Sequence, residues 1–205
     1  MTRTRMKTGS GRAEDASLTA PRRRRVQRHL TAVAAAAQLA LALAACSKPE
    51  PERSFTVPSD LCGTPVPAAA VDAVLPSSGR TLKAHAASRT VGATHCRVSV
   101  DGTTVFSAIS EWRVDPSVRK AARINPYIDI DEHTSADGTY MWSGKGGVRR
   151  APCPVAAKEH PDRNQLFVRV LFHDEKFSDA DAAKNLLLAY AQSVADSAAC
   201  KGPTP

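Results

Sequence analysis

Past residue 60 the apolar positions follow two rhythms. They recur every second residue in some stretches and every three to four in others, which marks strands and helices respectively. The stretch 67–75 (PAAAVDAVL) predicts a short helix, with proline tolerated in its first turn and Pro76 closing it. Residues 82–91 predict a strand. Cys96-Arg97-Val98-Ser99-Val100 alternates into Asp101-Gly102, a strong two-residue hairpin signal, and 104–114 returns as the partner strand. A second short helix is predicted over 116–124. Further on, 139–142 and 147–150 flank a glycine-rich turn. Gln165–Phe172 (QLFVRVLF) is apolar at almost every position and predicts a central strand. Ser178 then caps a long helix, with Asp181 three residues on in an S-x-x-D pattern. Leu186, Leu187, Tyr190, Val194 and Ala198 recur at helical spacing as its buried face, and Cys200 falls just past its end. The order predicts an α+β fold: an antiparallel sheet packed against a long C-terminal helix and one or two short helices, in a single domain over 59–205.

The first 58 residues follow neither rhythm. Arg22, Arg23, Arg24, Arg25 and Arg28 precede a mostly apolar run of 14 residues, 30–43, interrupted by Thr31 and Gln38. A basic region, an apolar region and then small residues is the order of a secretory signal. At ~1.5 Å per residue the run covers only about 21 Å as a helix, short of the ~30 Å hydrocarbon core. Cleavage is therefore expected, with an uncleaved anchor extended to Ala45 as the alternative. The run ends in Leu43-Ala44-Ala45-Cys46, which resembles the lipobox of bacterial lipoproteins: Leu, two small residues, Cys. The resemblance implies that 1–45 is a lipoprotein signal peptide and that Cys46 carries diacylglycerol as the first mature residue. Only cysteine offers a thiolate for the thioether. Two acyl chains, at ~0.8 kcal/mol per buried CH₂, make a stable membrane anchor. Residues 46–58, with Pro49, Pro51 and Pro58, are expected to form an extended tether reaching roughly 35 Å from the membrane. In pattern the chain is similar to small Ala/Arg-rich lipoproteins of actinobacteria, many of them in families of unknown function. That likeness implies the cell membrane, on its extracytoplasmic face, and carries no catalytic residue across.

Charge placement changes the first impression that composition gives. The whole chain has a net charge of +8, which suggests a nucleic-acid partner. Residues 1–45 hold nine Lys/Arg against two Asp/Glu, however, and the remaining 160 residues hold 19 basic and 18 acidic side chains. A nearly neutral mature chain argues against nucleic acid. Aromatic residues make up only 5% of the chain, so the core relies on smaller side chains and needs reinforcement. Setting Cys46 aside leaves Cys62, Cys96, Cys153 and Cys200, an even number in an exported chain. Of three possible connectivities, Cys62–Cys96 and Cys153–Cys200 are preferred because each pair is consecutive and closes one half of the domain. Each closed loop then contributes ~4 kcal/mol on the chain-entropy account. A zinc site is the competing use, disfavoured by the absence of any C-x-x-C pair.

Three clusters are candidates for chemistry. Asp129-Ile130-Asp131-Glu132-His133 is the densest acidic stretch; it departs from the calcium-loop pattern and reads first as a solvated edge. His173-Asp174-Glu175 closes the central strand, without a second histidine at ligand spacing. Gly144-Lys145-Gly146-Gly147 with Arg149 and Arg150 is a candidate anion-binding turn, although as a nucleotide loop its spacing fails. Ser143, in W-S-G, lacks the upstream glycine of a nucleophile elbow. No metal site, cofactor motif or catalytic residue is assigned. The expectation is a membrane-anchored cell-envelope lipoprotein with a non-enzymatic binding or interaction domain. Its partners are the membrane, through the lipid anchor, and an envelope protein or small ligand. Alternatives are a metal-dependent or hydrolytic envelope enzyme using Asp129, Asp131 and His133 or His173, and a carrier with an apolar cavity between sheet and long helix.

Overall fold

The two rhythms resolve, in the computed structural model, into the predicted elements together with several short ones the pattern does not announce. The structure describes residues 52–87, 92–115, 117–125, 129–153, 162 and 165–201. In chain order these form β1 (Asp60–Leu61), β2 (Thr64–Pro65), α1 (Ala68–Asp72), β3 (Leu82–Ala86), β4 (Ala93–Val100) and β5 (Thr103–Arg113). There follow α2 (Val118–Ala122), β6 (His133–Thr134), β7 (Tyr140–Ser143), β8 (Gly146–Ala151), β9 (Gln165–Phe172), α3 (Ala180–Asp196) and α4 (Ala198–Lys201). Seven strands make one sheet in the order β3-β4-β5-β9-β8-β7-β6, antiparallel at every pairing. The fold is α+β, as the sequence predicts, and β9 lies at the sheet centre. No helix among the described residues is long and apolar enough to cross a membrane.

The Asp101-Gly102 turn joins β4 to β5 with φ of 49° and 84°. Positive φ at both central residues is the type I′ geometry, whose twist matches that of the flanking strands. The sequence reading misses a second turn of the same kind. Cys62 and Gly63, at φ 55° and 90°, join β1 to β2, and Asp60 Oδ1 accepts from Gly63 N at 2.7 Å.

Strand β9 is apolar at almost every position because both of its faces are covered. Val168, Val170 and Phe172 pack with Phe106 and Ala108 of β5 and with Leu186, Leu187 and Tyr190 of α3. Phe167 and Leu171 point the other way, into a second core with Val148, Met141, Ile130 and the α2 residues Val118, Ala121 and Ala122. Each Val, Leu, Ile, Phe or Met side chain among them, when fully buried, contributes roughly 1.5–3 kcal/mol. The long helix needs two corrections. Its cap is Asp179 rather than Ser178: the Asp179 carboxylate accepts from Ala182 N at 2.9 Å, and the helix begins at Ala180. Ala198 is exposed and lies beyond the helix, in α4, because Ser197 breaks the run with extended backbone (ψ 158°). The seam includes alanines the periodicity passed over, namely Ala182, Ala183, Ala191 and Ala195.

Two disulfides tie the peripheral pieces to the sheet: Cys62–Cys96 and Cys153–Cys200. The first pins the β1–β2 turn to β4, and the second joins the segment after β8 to α4. The chain also enters the domain earlier than residue 59. Ser54 N donates to Gly79 O at 2.9 Å, the Arg53 guanidinium pairs with Asp72 and reaches Pro76 O and Leu75 O, and Phe55 and Val57 pack on the core. The last residues of the expected tether are therefore part of the fold.

Candidate functional site

On the second face of the sheet, α2 packs against β7 and β8. Across β5, β4 and β3 the same face turns from apolar to ionisable, and strand register builds the arrangement. His85 of β3 lies opposite Arg97 of β4, and Arg97 lies opposite Ser107 of β5. In the neighbouring row His95 faces Ile109, which faces Arg169 of β9. Alternation places His95 and Arg97 on one side of β4, and Ser107, Ile109 and Glu111 on the same side of β5. His173, just past the end of β9, returns to this face and its Nε2 lies 2.9 Å from Ser107 Oγ.

Arg169 is the one charge within β9, and its side chain is only 8% exposed. Its guanidinium contacts Glu111 Oε1 at 3.1 Å, and Arg113 reaches the same oxygen at 3.3 Å. The carboxylate is thus shared between two cations, while burial, ahead of the attraction to Glu111, holds the Arg169 pKa below its ordinary value. His95 is held below the usual imidazole range by burial first and then by the charge of Arg97. For His173 the same two causes act in the same order. Neutral imidazoles beside guanidinium groups make this face rich in hydrogen-bond donors and short of carboxylates.

The Ser107–His173 contact resembles the start of a nucleophile–base pair, but Ser107 is 2% exposed and is closed to a substrate. It orients the imidazole instead. Beside His173 opens a cavity of about 780 Å³, lined also by Arg80, Asp101, Asp174, Glu175 and Lys176. Asp101 is committed to that wall: its carboxylate accepts from the Arg80 and Thr81 amides and from the Thr81 hydroxyl. These bonds lower its pKa.

The clusters singled out in the sequence are placed differently. Asp131 is paired with Arg123 at 2.9 Å and Arg119 at 3.4 Å, and His133 stacks on Trp142 with ring centroids 5.2 Å apart. Among the described residues no group of three His, Cys, Asp or Glu side chains is placed to hold a metal ion. Lys145 is not brought together with Arg149 and Arg150. The Lys145 ammonium donates to the carbonyls of Glu175 (2.7 Å) and Phe177 (3.0 Å). Arg149 lies over the Tyr140 ring at 5.9 Å, and exposed Arg150 points to the opposite face of β8. Both arginines rim a cavity of about 540 Å³ that also contains Asp137. The glycines of the turn answer to packing: a Cβ at Gly144 would strike the Ser178 backbone, and one at Gly146 the Val170 carbonyl. Ser143 is buried and donates to Asp129 O at 2.6 Å. Between sheet and α3, where an apolar cavity was an alternative, Leu186, Leu187 and Tyr190 are fully buried in contact with the sheet.

The sequence reading missed His85, His95, Arg97, Ser107, Glu111 and Arg169, which are spread over 85 positions and meet only through strand order. The one local signal is charge inside apolar strands, as in QLFVRVLF. No family model, curated protein or solved structure matches the chain.

Proposed function

We propose that the protein is a lipid-anchored, extracytoplasmic binding protein of the cell envelope, held at the membrane through Cys46. The observation that carries this reading is the cysteine arrangement. Four of the five cysteines form two bridges inside the folded unit, as suits an oxidising compartment. Cys46 stands outside both bridges, at the end of Leu43-Ala44-Ala45-Cys46 and behind a basic, apolar leader. Binding, rather than hydrolysis, is favoured by the burial of Ser107 and Ser143 and by the exposed donor-rich sheet face.

Expression of the full chain in a bacterium with lipoprotein processing, fed labelled palmitate, tests the anchor. Wild type is expected to carry the label, and Cys46→Ala to lose it and keep its leader. Label that persists in Cys46→Ala, or is missing from wild type, would remove the assignment.

A further inference from the structure

Arg97 lies within β4, is exposed, and sits directly opposite both His85 and Ser107. Residues so opposed have Cβ atoms about 5 Å apart, an easy reach for long side chains. His95 shares its strand face two residues away, and His173 is fixed beside Ser107 by the 2.9 Å contact. Three imidazoles and a hydroxyl therefore share one sheet face with Arg97. Among the described residues no carboxylate forms an ion pair with Arg97. Glu111 lies four residues along β5 from Ser107, about 13 Å away, and is held by Arg113 and Arg169. Asp174 accepts from Lys176 N at 2.9 Å in the turn after His173, and Glu175 beside it is exposed.

A guanidinium without a carboxylate partner among the described residues, on a face that also carries three imidazoles, has the chemistry that recognises paired anionic oxygens. His95 Nε2 adds a second observation: it is buried and has no hydrogen-bond partner among the described residues, whereas buried polar atoms are ordinarily paired. We propose that Arg97, with His85, His95 and His173, forms a binding site for a small soluble oxyanion. The inference rests on the reading of this domain as a binding module and names its ligand class.

The site carries its own pH dependence. Burial and Arg97 shift His95 and His173 toward the neutral form. A bound anion offsets the Arg97 charge and favours the protonated imidazoles. Protons are then taken up on binding, so affinity rises as pH falls. Exposed Lys83 on β3 and the Arg113–Glu111–Arg169 group complete the field on this face, and Asp174 and Glu175 oppose it from the turn.

Sulfate is a suitable probe because it stays doubly charged between pH 5 and 8. Histidine side-chain NMR of the full chain in non-ionic detergent, titrated with sulfate at constant ionic strength in chloride, tests the proposal. His95 and His173 resonances are expected to move together to saturation, with several-fold tighter binding at pH 5.5 than at pH 7. Arg97→Gln is expected to weaken binding at least tenfold with an unchanged melting temperature, and Lys201→Gln to bind as wild type. Absence of a saturable shift, or an Arg97→Gln variant that binds like wild type, would overturn the site. Displacement of sulfate by anionic vesicles would assign it to lipid headgroups and overturn a soluble ligand. Neither failure touches the anchor, which lipid labelling reads separately.

Discussion

Glu111 holds two guanidinium groups, and one of them, Arg169, lies almost wholly inside the sheet. A buried ion pair gives little net stability because both charges lose their hydration, but breaking one leaves the other charge uncompensated. The two partners should therefore respond differently to substitution. Glu111→Ala strands Arg169 and is expected to destabilise by about 3 kcal/mol, the lower end for a broken buried pair because the carboxylate itself is partly exposed. Arg169→Met fills similar space with apolar atoms and releases Glu111 to Arg113 and solvent, so it should be close to neutral. Chemical denaturation of the two variants against wild type checks the asymmetry. Equal losses would mean that Arg169 contributes through packing of its stem rather than through its charge.

Among the elements, those with strong local signals were legible in the sequence. The Asp101-Gly102 hairpin, the apolar β9 and the leucine seam of α3 each announce themselves within a dozen residues, because turn chemistry and burial period act locally. Boundaries were less so. Ser178 and Asp179 are both good caps, and the choice between them depends on which residue has extended backbone as the chain turns off β9. Only the fold decides that. Asp179→Ala is expected to cost ~1 kcal/mol, and Ser178→Ala to stay within about 0.5 kcal/mol of wild type. A larger loss from Ser178→Ala in thermal unfolding would return the cap to Ser178. Of the polar face, only His173 drew notice in the sequence; its assembly with the other residues was not legible. Arg97 and His173 lie 76 positions apart, and what unites them is the pairing of β5 with both β4 and β9, which no periodicity records. The packing role of the glycine-rich turn was hidden for a related reason: its glycines accommodate the Ser178 backbone and the Val170 carbonyl, neighbours distant in sequence.

For the whole molecule, cysteine arithmetic reached further than motif reading. The two consecutive pairings are those formed, and each brings a short element (the β1–β2 turn, or α4) onto a sheet whose small side chains bury limited area. Bridges of this kind typically supply 2–5 kcal/mol in small secreted domains. The folded unit also begins before residue 59, since Arg53 and Phe55 are bound to it. A spacer from Cys46 to residue 52 spans at most about 25 Å, so on the proposed anchor the domain is held near the lipid surface. Placement at the membrane depends on the chemistry of Cys46, and the mass of the mature N-terminal peptide from membrane-extracted protein reads that chemistry. The expected peptide begins at Cys46 and carries the mass of diacylglycerol. A mature N-terminus upstream of Cys46, or an unmodified Cys46 thiol, would contradict it.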